Sequence, residues 1–370
     1  MIMRAEKNSD RLEREIRNAI LSGAIKTGER LSRVKDLAQA YQITYGQAQR
    51  AIKRLEKDGL IITRRGDGTF VRYRPFINIE QKNHQRPGAF LLGDRFFWSS
   101  LHERLGIDDV IRGIERIAAE AGLGLHQAIA EEAEMCFSDP ATIHLPIVVL
   151  TALPPALQMR LREEAQRGRT VIIIFGSPKE GEWALSCDAD GATGMRMAMQ
   201  HLTDLGHRRI AFVSWKNDEG AWWIDERETT YRVWMQERAH EVNVFQLPPQ
   251  SQKQKADEMI YTDDRLVSEI FTAGLTAVLC VNDLAAQRIH AACRRQRINI
   301  PEDISLVGFD DQVWALREGI TTLQRPNLLM GEILGEYLVR CQYPRSHACR
   351  GWLAFTPSLV VRGSTAAPCA

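Results

Sequence analysis

Polar and basic side chains recur at Tyr45, Gln47, Gln49, Arg50 and Lys53, interleaved with small and apolar ones at Ala48, Ala51, Ile52 and Leu55. The spacing is that of an amphipathic helix, with the second set as its buried stripe and the first on its outer face. Amide, phenol and guanidinium groups on such a face can hydrogen-bond to base edges or phosphates, and a helix of this width fits the major groove of DNA. Downstream, Arg64 and Arg65 lead into the tight-turn sequence Gly66-Asp67-Gly68, between the strand-like runs 60–62 and 69–71. A β-hairpin of this kind can lay its arginines against phosphates or into a minor groove.

Those groups need a scaffold, and the preceding residues provide one. Leu12, Ile16, Ala19 and Ile20 form one stripe of a helix over 11–22, which Gly23 stops. A second helix starts near Ser32, a candidate N-cap, and turns Val34, Leu37 and Ala38 inward. Tyr41-Gln42-Ile43 makes the turn, Thr44 caps the third helix, and Gly59 ends it. Three short helices followed by a hairpin describe a winged helix-turn-helix in residues 1–75.

Charge agrees with that division. The whole chain of 370 residues carries +1, but residues 1–75 carry +8 and the rest −7. A basic module joined to a mildly acidic one implies a polyanionic partner for the first part alone.

The module resembles the DNA-binding domain of the GntR family of bacterial regulators. The matching pieces are AILSGAIKTGERL, DLAQAYQITYGQAQRAIKRLEKDGLI and RRGDGTFV. The resemblance places Lys35 against a phosphate, Thr44 at the usual Ser/Thr cap, and Arg50 with the wing around Gly66 and Gly68 at the double-stranded DNA operator. The chain departs from the family at Ser32-Arg33-Val34, where Pro-Ser-Glu is usual. It departs again at Tyr45 and Gln49, where arginines are usual. Arginine is the usual reader of guanine, so an altered sequence preference is expected.

Residues 76–87 are polar and end in proline, as a linker does. In residues 88–365, apolar runs at 89–92, 147–150, 171–175, 210–213, 277–281 and 305–309 alternate with amphipathic stretches at 108–121, 156–166, 191–205 and 284–295. This is the pattern of an α/β fold with parallel strands, and the length suits two sheets better than one. Signatures for phosphate cradles, nucleophile elbows and zinc helices do not occur. The cysteines are odd in number, seven, and scattered, so buried, inert thiols are expected rather than disulfides or zinc. No apolar run reaches membrane-spanning length, and the N-terminus has no signal-peptide core. A cytoplasmic protein without cofactor or metal is expected.

A second resemblance covers this region. HLTDLGHRRIAFVS, TAVLCVNDLAAQRIHAACRRQRINIPEDISLVGFDD and TTLQRP resemble the effector domain of LacI-type repressors, itself similar to periplasmic sugar-binding proteins. It implies two Rossmann-like lobes, an N-lobe of 88–187 plus 322–343 and a C-lobe of 188–320 plus 344–365, with a ligand cleft between them. It also implies effector contacts from Arg227, Asn282 and Asp310, a contribution from Asp190, and a stacking surface from Trp98 or Trp314. A forked donor, an amide and a carboxylate acceptor suit vicinal hydroxyls. Each residue has a plainer reading. Arg227 can pair with Glu226 or Glu228, Asn282 can cap the next helix, and Asp310 can be a loop carboxylate. Thr230 stands where a glycine is usual.

Both halves together resemble the arabinose repressors, in which a GntR-type reader joins a LacI-type sensor. The resemblance implies a homodimeric repressor whose operator affinity changes with a sugar-like effector. Two alternatives stand beside it: a sensor of a non-sugar metabolite such as a purine, and a reader fused to a pyridoxal-phosphate enzyme. The second would need a Schiff-base lysine, and Lys179, Lys216, Lys253 and Lys255 are the lysines beyond residue 90.

Overall fold

The structure, a computed structural model, describes residues 12, 13, 15, 16, 19, 25, 29–57, 61–64, 68–71, 88–94, 106–130, 133–138, 142–150, 153–217, 220–248, 256–341 and 350–369. Trp98, Arg65, Gly66, Gly23, Gly59 and the expected linker lie outside these residues.

At the N-terminal end, residues 12, 13, 15, 16 and 19 are helical, with Leu12 and Ile16 buried. Helices α1 (Val34–Ala40) and α2 (Tyr45–Lys57) follow, then an antiparallel hairpin of β1 (Ile61–Arg64) and β2 (Gly68–Val71). Ala48, Ala51, Ile52 and Leu55 bury together with Leu12, Ile16, Leu31 and Ala38, as their helical spacing requires. The hairpin closes the same core with Ile61 and Val71.

The start of α1 corrects one expectation. Ser32 is exposed, and Arg33 occupies the cap position without a side-chain cap. The reason lies upstream: Leu31 donates to the Thr69 carbonyl at 2.8 Å, and Val71 donates to the Glu29 carbonyl at 2.8 Å. Residues 29–31 therefore run beside β2, and the helix begins only after the chain leaves that edge.

The α/β part divides between two compact units, 1–174 with 334–349 and 175–333 with 350–370. In the first, β3 (Gly88–Gly93), α3 (Ile107–Glu120), β4 (Gly124–Ile129), α4 (Glu134–Ser138), β5 (Ile147–Val149), α5 (Pro155–Gln166) and β6 (Val171–Ile174) alternate. The strands are parallel in the order β6-β5-β3-β4. β3, β5 and β6 are buried along their whole lengths, which is why they read as continuous apolar runs.

The second unit holds β7 (Leu185–Ala189), α6 (Gly191–Asp204), β8 (Ile210–Trp215), α7 (Trp222–Glu237), β9 (Asn243–Leu247), α8 (Ala256–Thr272), β10 (Ala277–Cys280), α9 (Asp283–Gln296), β11 (Ser305–Phe309), α10 (Val313–Arg317) and β12 (Thr321–Gln324). Helix α11 (Asn327–Arg340) begins in it, and β13 (Gly351–Phe355) and β14 (Ser358–Val360) complete it. Strands β9-β8-β10-β11-β12 are parallel, β14 pairs antiparallel with β12, and β13 pairs in parallel with β7. After β9 the chain returns to the other side of β8, so the strand order reverses between β8 and β10. Crevices form at the carboxyl ends of strands beside such a reversal.

Among the described residues no helix is long and apolar enough to cross a membrane. Cys136, Cys187, Cys280 and Cys293 are buried thiols, whereas Cys369 is exposed. Burial pushes all four buried thiols up, Cys136 to about 11, so they remain protonated.

Candidate functional site

Two separate constellations could carry function. The first begins at the start of α2. Thr44 Oγ1 accepts from the Gln47 amide at 3.3 Å, while Gln47 Oε1 accepts from the Thr44 amide at 2.9 Å and its hydroxyl at 3.0 Å. This reciprocal cap satisfies the Thr44 N–H, adds a second acceptor to the Gln47 N–H that already donates to the Thr44 carbonyl at 3.0 Å, and fixes the helix start. It also turns the Gln47 side chain back toward the helix start. Tyr45, 55% exposed, and the exposed Gln49, Arg50 and Lys53 form the outer face. Gly46 lies beside them with no neighbour within 4 Å of the place a Cβ would occupy. Arg54 pairs with Glu13 and braces α2 against the first helical residues. Lys35 is exposed on α1.

In the wing, Arg64 ends β1 opposite Gly68. Gly68 has φ +129°, a conformation that favours glycine, and a Cβ there would displace the end of the Arg30 side chain.

The second constellation lies within the 175–333 unit, at the carboxyl ends of its strands. Arg227, on α7, is 3% exposed and donates from Nη1 to the Val281 carbonyl just past β10, at 2.6 Å. Its guanidinium lies 3.5 Å from the centre of the Phe309 ring and 5.1 Å from that of Trp223. Its Nε has no hydrogen-bond partner. Asp310 follows β11 with φ +116°, its amide donating to the Leu323 carbonyl at 2.7 Å. Its carboxylate stands 3.8 Å from Nε of Arg325, which is itself ion-paired with Asp188 and lies over the Phe175 ring at 4.2 Å. Acid and base thus alternate through Asp188, Arg325, Asp310 and Arg227.

Burial governs the electrostatics. It pulls Arg227 down to about 10 against the pull of Asp310, and it pushes the Asp310 carboxyl up while Arg325 and Arg227 resist. Burial opposes the charge on Arg325 too, but Asp188 and Asp310 hold its guanidinium above the ordinary range. Glu226 is raised by burial and then by Asp190, and its Oε2 is buried without a hydrogen-bond partner.

The remaining expected residues sit differently. Asn282 Oδ1 caps α9, accepting from the Ala285 amide at 3.0 Å and from Trp215 Nε1 at 3.2 Å. Asp190 caps α6, accepting from the Thr193 amide at 2.8 Å and hydroxyl at 2.6 Å. Trp314 packs on the core with its ring edge toward His290, 5.6 Å between centres. Thr230 returns its hydroxyl to the Glu226 carbonyl at 2.8 Å, so the helix accommodates it where glycine was expected.

Sequence reading did not single out Asp188, Arg325 or Asp283. Arg325 was visible inside TTLQRP, but nothing in that string marks a buried guanidinium. Asp283 is fully buried and accepts from Thr322 Oγ1 at 2.7 Å and the Gln312 amide at 2.7 Å. Burial and the nearby Asp310 push its carboxyl up to about 7. A groove of about 490 Å³ beside β9, lined by Val244, Phe245, Tyr261 and Arg265, does not include these residues.

Residues 8–71 match the model of the bacterial regulatory proteins of the gntR family, and residues 199–365 match that of the periplasmic binding protein-like domain. The chain is 26% identical to the arabinose metabolism transcriptional repressor of Geobacillus stearothermophilus, over 96% of both chains. It is 26% identical to the ribose operon repressor of Escherichia coli K12, over 69% of this chain and 77% of that one. A LacI transcriptional regulator from a Rhodococcus species shares the fold, with TM-score 0.58 and 17% identity over 76% of this chain and 99% of its own. A LacI-family regulator from Enterococcus faecium, solved with bound ribose, gives TM-score 0.56 at 19% identity over 76% of this chain and 99% of its own. The chain therefore joins a GntR-type helix-turn-helix to a periplasmic-binding-protein-like domain.

Proposed function

For this DNA-binding transcriptional regulator, as its two domains make it, we propose the role of a homodimeric repressor whose operator affinity is changed by a small carbohydrate-like effector. The reader is the outer face of α2, with Tyr45, Gln49 and Arg50 toward the bases and Lys35 and the wing toward phosphates. Paired readers suit two operator half-sites. The protein acts in the cytoplasm and without catalysis.

The effector contacts Arg227 and Asp310. The observation that carries this reading is the buried Arg227 itself, with an unpartnered Nε and the buried Asp310 carboxylate in its electrostatic surroundings. A desolvated donor and a desolvated acceptor in one electrostatic cluster suit the hydroxyls of a sugar. Asn282 and Asp190 hold the N-termini of α9 and α6 at the edge of that site. Ligand shifts DNA affinity only by its differential binding to two conformations of the protein.

A thermal-shift screen of the purified chain tests this. Relatives named as arabinose and ribose repressors make L-arabinose and D-ribose the first probes. Stabilisation by a sugar that also weakens DNA binding supports the role. Stabilisation by nucleobases and by no sugar would replace it with the purine reading.

A further inference from the structure

We propose that Glu226 and the acid–base balance around Arg227 restrict the effector to uncharged, donor-rich polyols and exclude sugar acids and sugar phosphates. This rests on the carbohydrate reading above and narrows it to a chemical class.

Arg325 is held by Asp188 and stands 3.8 Å from Asp310. Arg227 spends Nη1 on the Val281 carbonyl at 2.6 Å and its flat face on Phe309 at 3.5 Å. Asp310 shares its charge with both arginines. The guanidinium charges are therefore matched within the protein before a ligand arrives. The carboxylates are in excess: Asp188, Asp190, Glu226 and Asp310 outnumber Arg227 and Arg325.

Glu226 marks where the excess falls. It adjoins Arg227 in sequence on α7, and its carboxylate lies at the N-terminus of α6, 2.2 Å from the place a Gly191 Cβ would take. A Cβ at 191 would make that carboxylate shift. One oxygen, Oε2, is buried with no well-formed hydrogen bond, although the Gly191 amide faces the carboxylate. Asp190, the nearest acid in its electrostatic surroundings, already accepts from Thr193.

A half-buried acceptor with spare capacity asks for a hydroxyl, and an anion placed here would meet like charge that water screens only in part. Like-charge juxtaposition of this kind is a means of rejecting a wrong ligand. Arg227 Nε, the opposite kind of vacancy, donates to a neutral oxygen as well as to a charged one, so it does not reverse the preference.

The test compares matched ligands by thermal shift and calorimetry on the full chain. L-Arabinose, D-ribose and D-galactose are paired with L-arabinonate, D-ribose 5-phosphate and D-galacturonate. The expected result is binding of at least one neutral sugar, with its anionic partner weaker by about tenfold or more, a typical single-interaction difference. In Glu226→Gln the gap narrows, because the amide removes one negative charge and offers a donor. An anion that binds the unmodified protein as tightly as its neutral parent overturns the proposal whether or not the variant folds. An absence of binding by all six compounds overturns the carbohydrate reading itself, and this proposal with it.

Discussion

The guanidinium of Arg227 lies 3.5 Å from the centre of the Phe309 ring. The ring ends β11 and the arginine rises from α7, so two elements distant in sequence fix one planar group. Stacking holds the fork flat while Nη1 is tied to the Val281 carbonyl. Lysine cannot make both contacts at once, because its ammonium is a compact, strongly hydrated point charge with no flat face to stack. Arg227→Lys should therefore weaken effector binding by about tenfold or more, close to Arg227→Ala, while DNA binding without effector is retained. Isothermal titration with the stabilising sugar checks this, and near-normal affinity in the lysine variant would show that the fork is not the recognising group.

Asp283 predicts a pH dependence. Its carboxyl is raised to about 7 by burial and then by Asp310. An acid raised on folding stabilises the fold fully below the unfolded pKa, near 3.9, and that stability is lost as pH climbs through 7. Asparagine resembles the protonated form and has no such term. The stability of the unmodified protein relative to Asp283→Asn should thus fall by roughly 2–3 kcal/mol between pH 5 and pH 8. Chemical denaturation at the two pH values measures it. A difference independent of pH would mean that Asp283 titrates in its ordinary range.

Much of this arrangement was legible in the sequence, and the rest was not for definite reasons. Ala48, Ala51, Ile52 and Leu55 fixed the phase of α2, because one period of 3.6 decides both faces. The buried parallel strands appeared as continuous apolar runs. β9 stayed hidden because its polar Asn243 and Gln246 interrupt the apolar pattern at the sheet edge. β12 was seen only through the resemblance, since Thr321 and Thr322 are buried hydroxyls that read as loop residues. Arg227 and Asp310 were found by resemblance, and the structure adds their electrostatic pairing. Asp188, Arg325 and Asp283 escaped because burial of a charge is set by long-range pairing, which local spacing does not encode.

The recognition helix gives a prediction about bases. Gln47 is engaged in the cap of α2, whereas Gln49 is exposed on the outer face. Glutamine pairs in bidentate fashion with adenine, and arginine with guanine. Selection from random DNA should give a symmetric motif in which one position per half-site changes from A toward G in Gln49→Arg. An unchanged motif would remove Gln49 from the base-reading set.

The cap itself is testable. Thr44→Ala deletes the hydroxyl that receives the Gln47 amide at 3.3 Å. A lost cap costs about 1 kcal/mol, equivalent to roughly fivefold faster local opening. Hydrogen exchange at the Gln47 amide should accelerate by that factor, with exchange in β10 and β11 unchanged. An equal rise in all three would point to global destabilisation instead.

The central claim joins the two constellations: a ligand at Arg227 and Asp310 controls DNA held by α2. The most direct measurement is the affinity of the full chain for its selected operator, with and without a saturating sugar that raises its melting temperature. The account predicts a change of about tenfold or more with the unmodified protein, within the usual range of allosteric coupling, and no change with Arg227→Ala. Equal operator affinity with and without a sugar bound to the unmodified protein would contradict it.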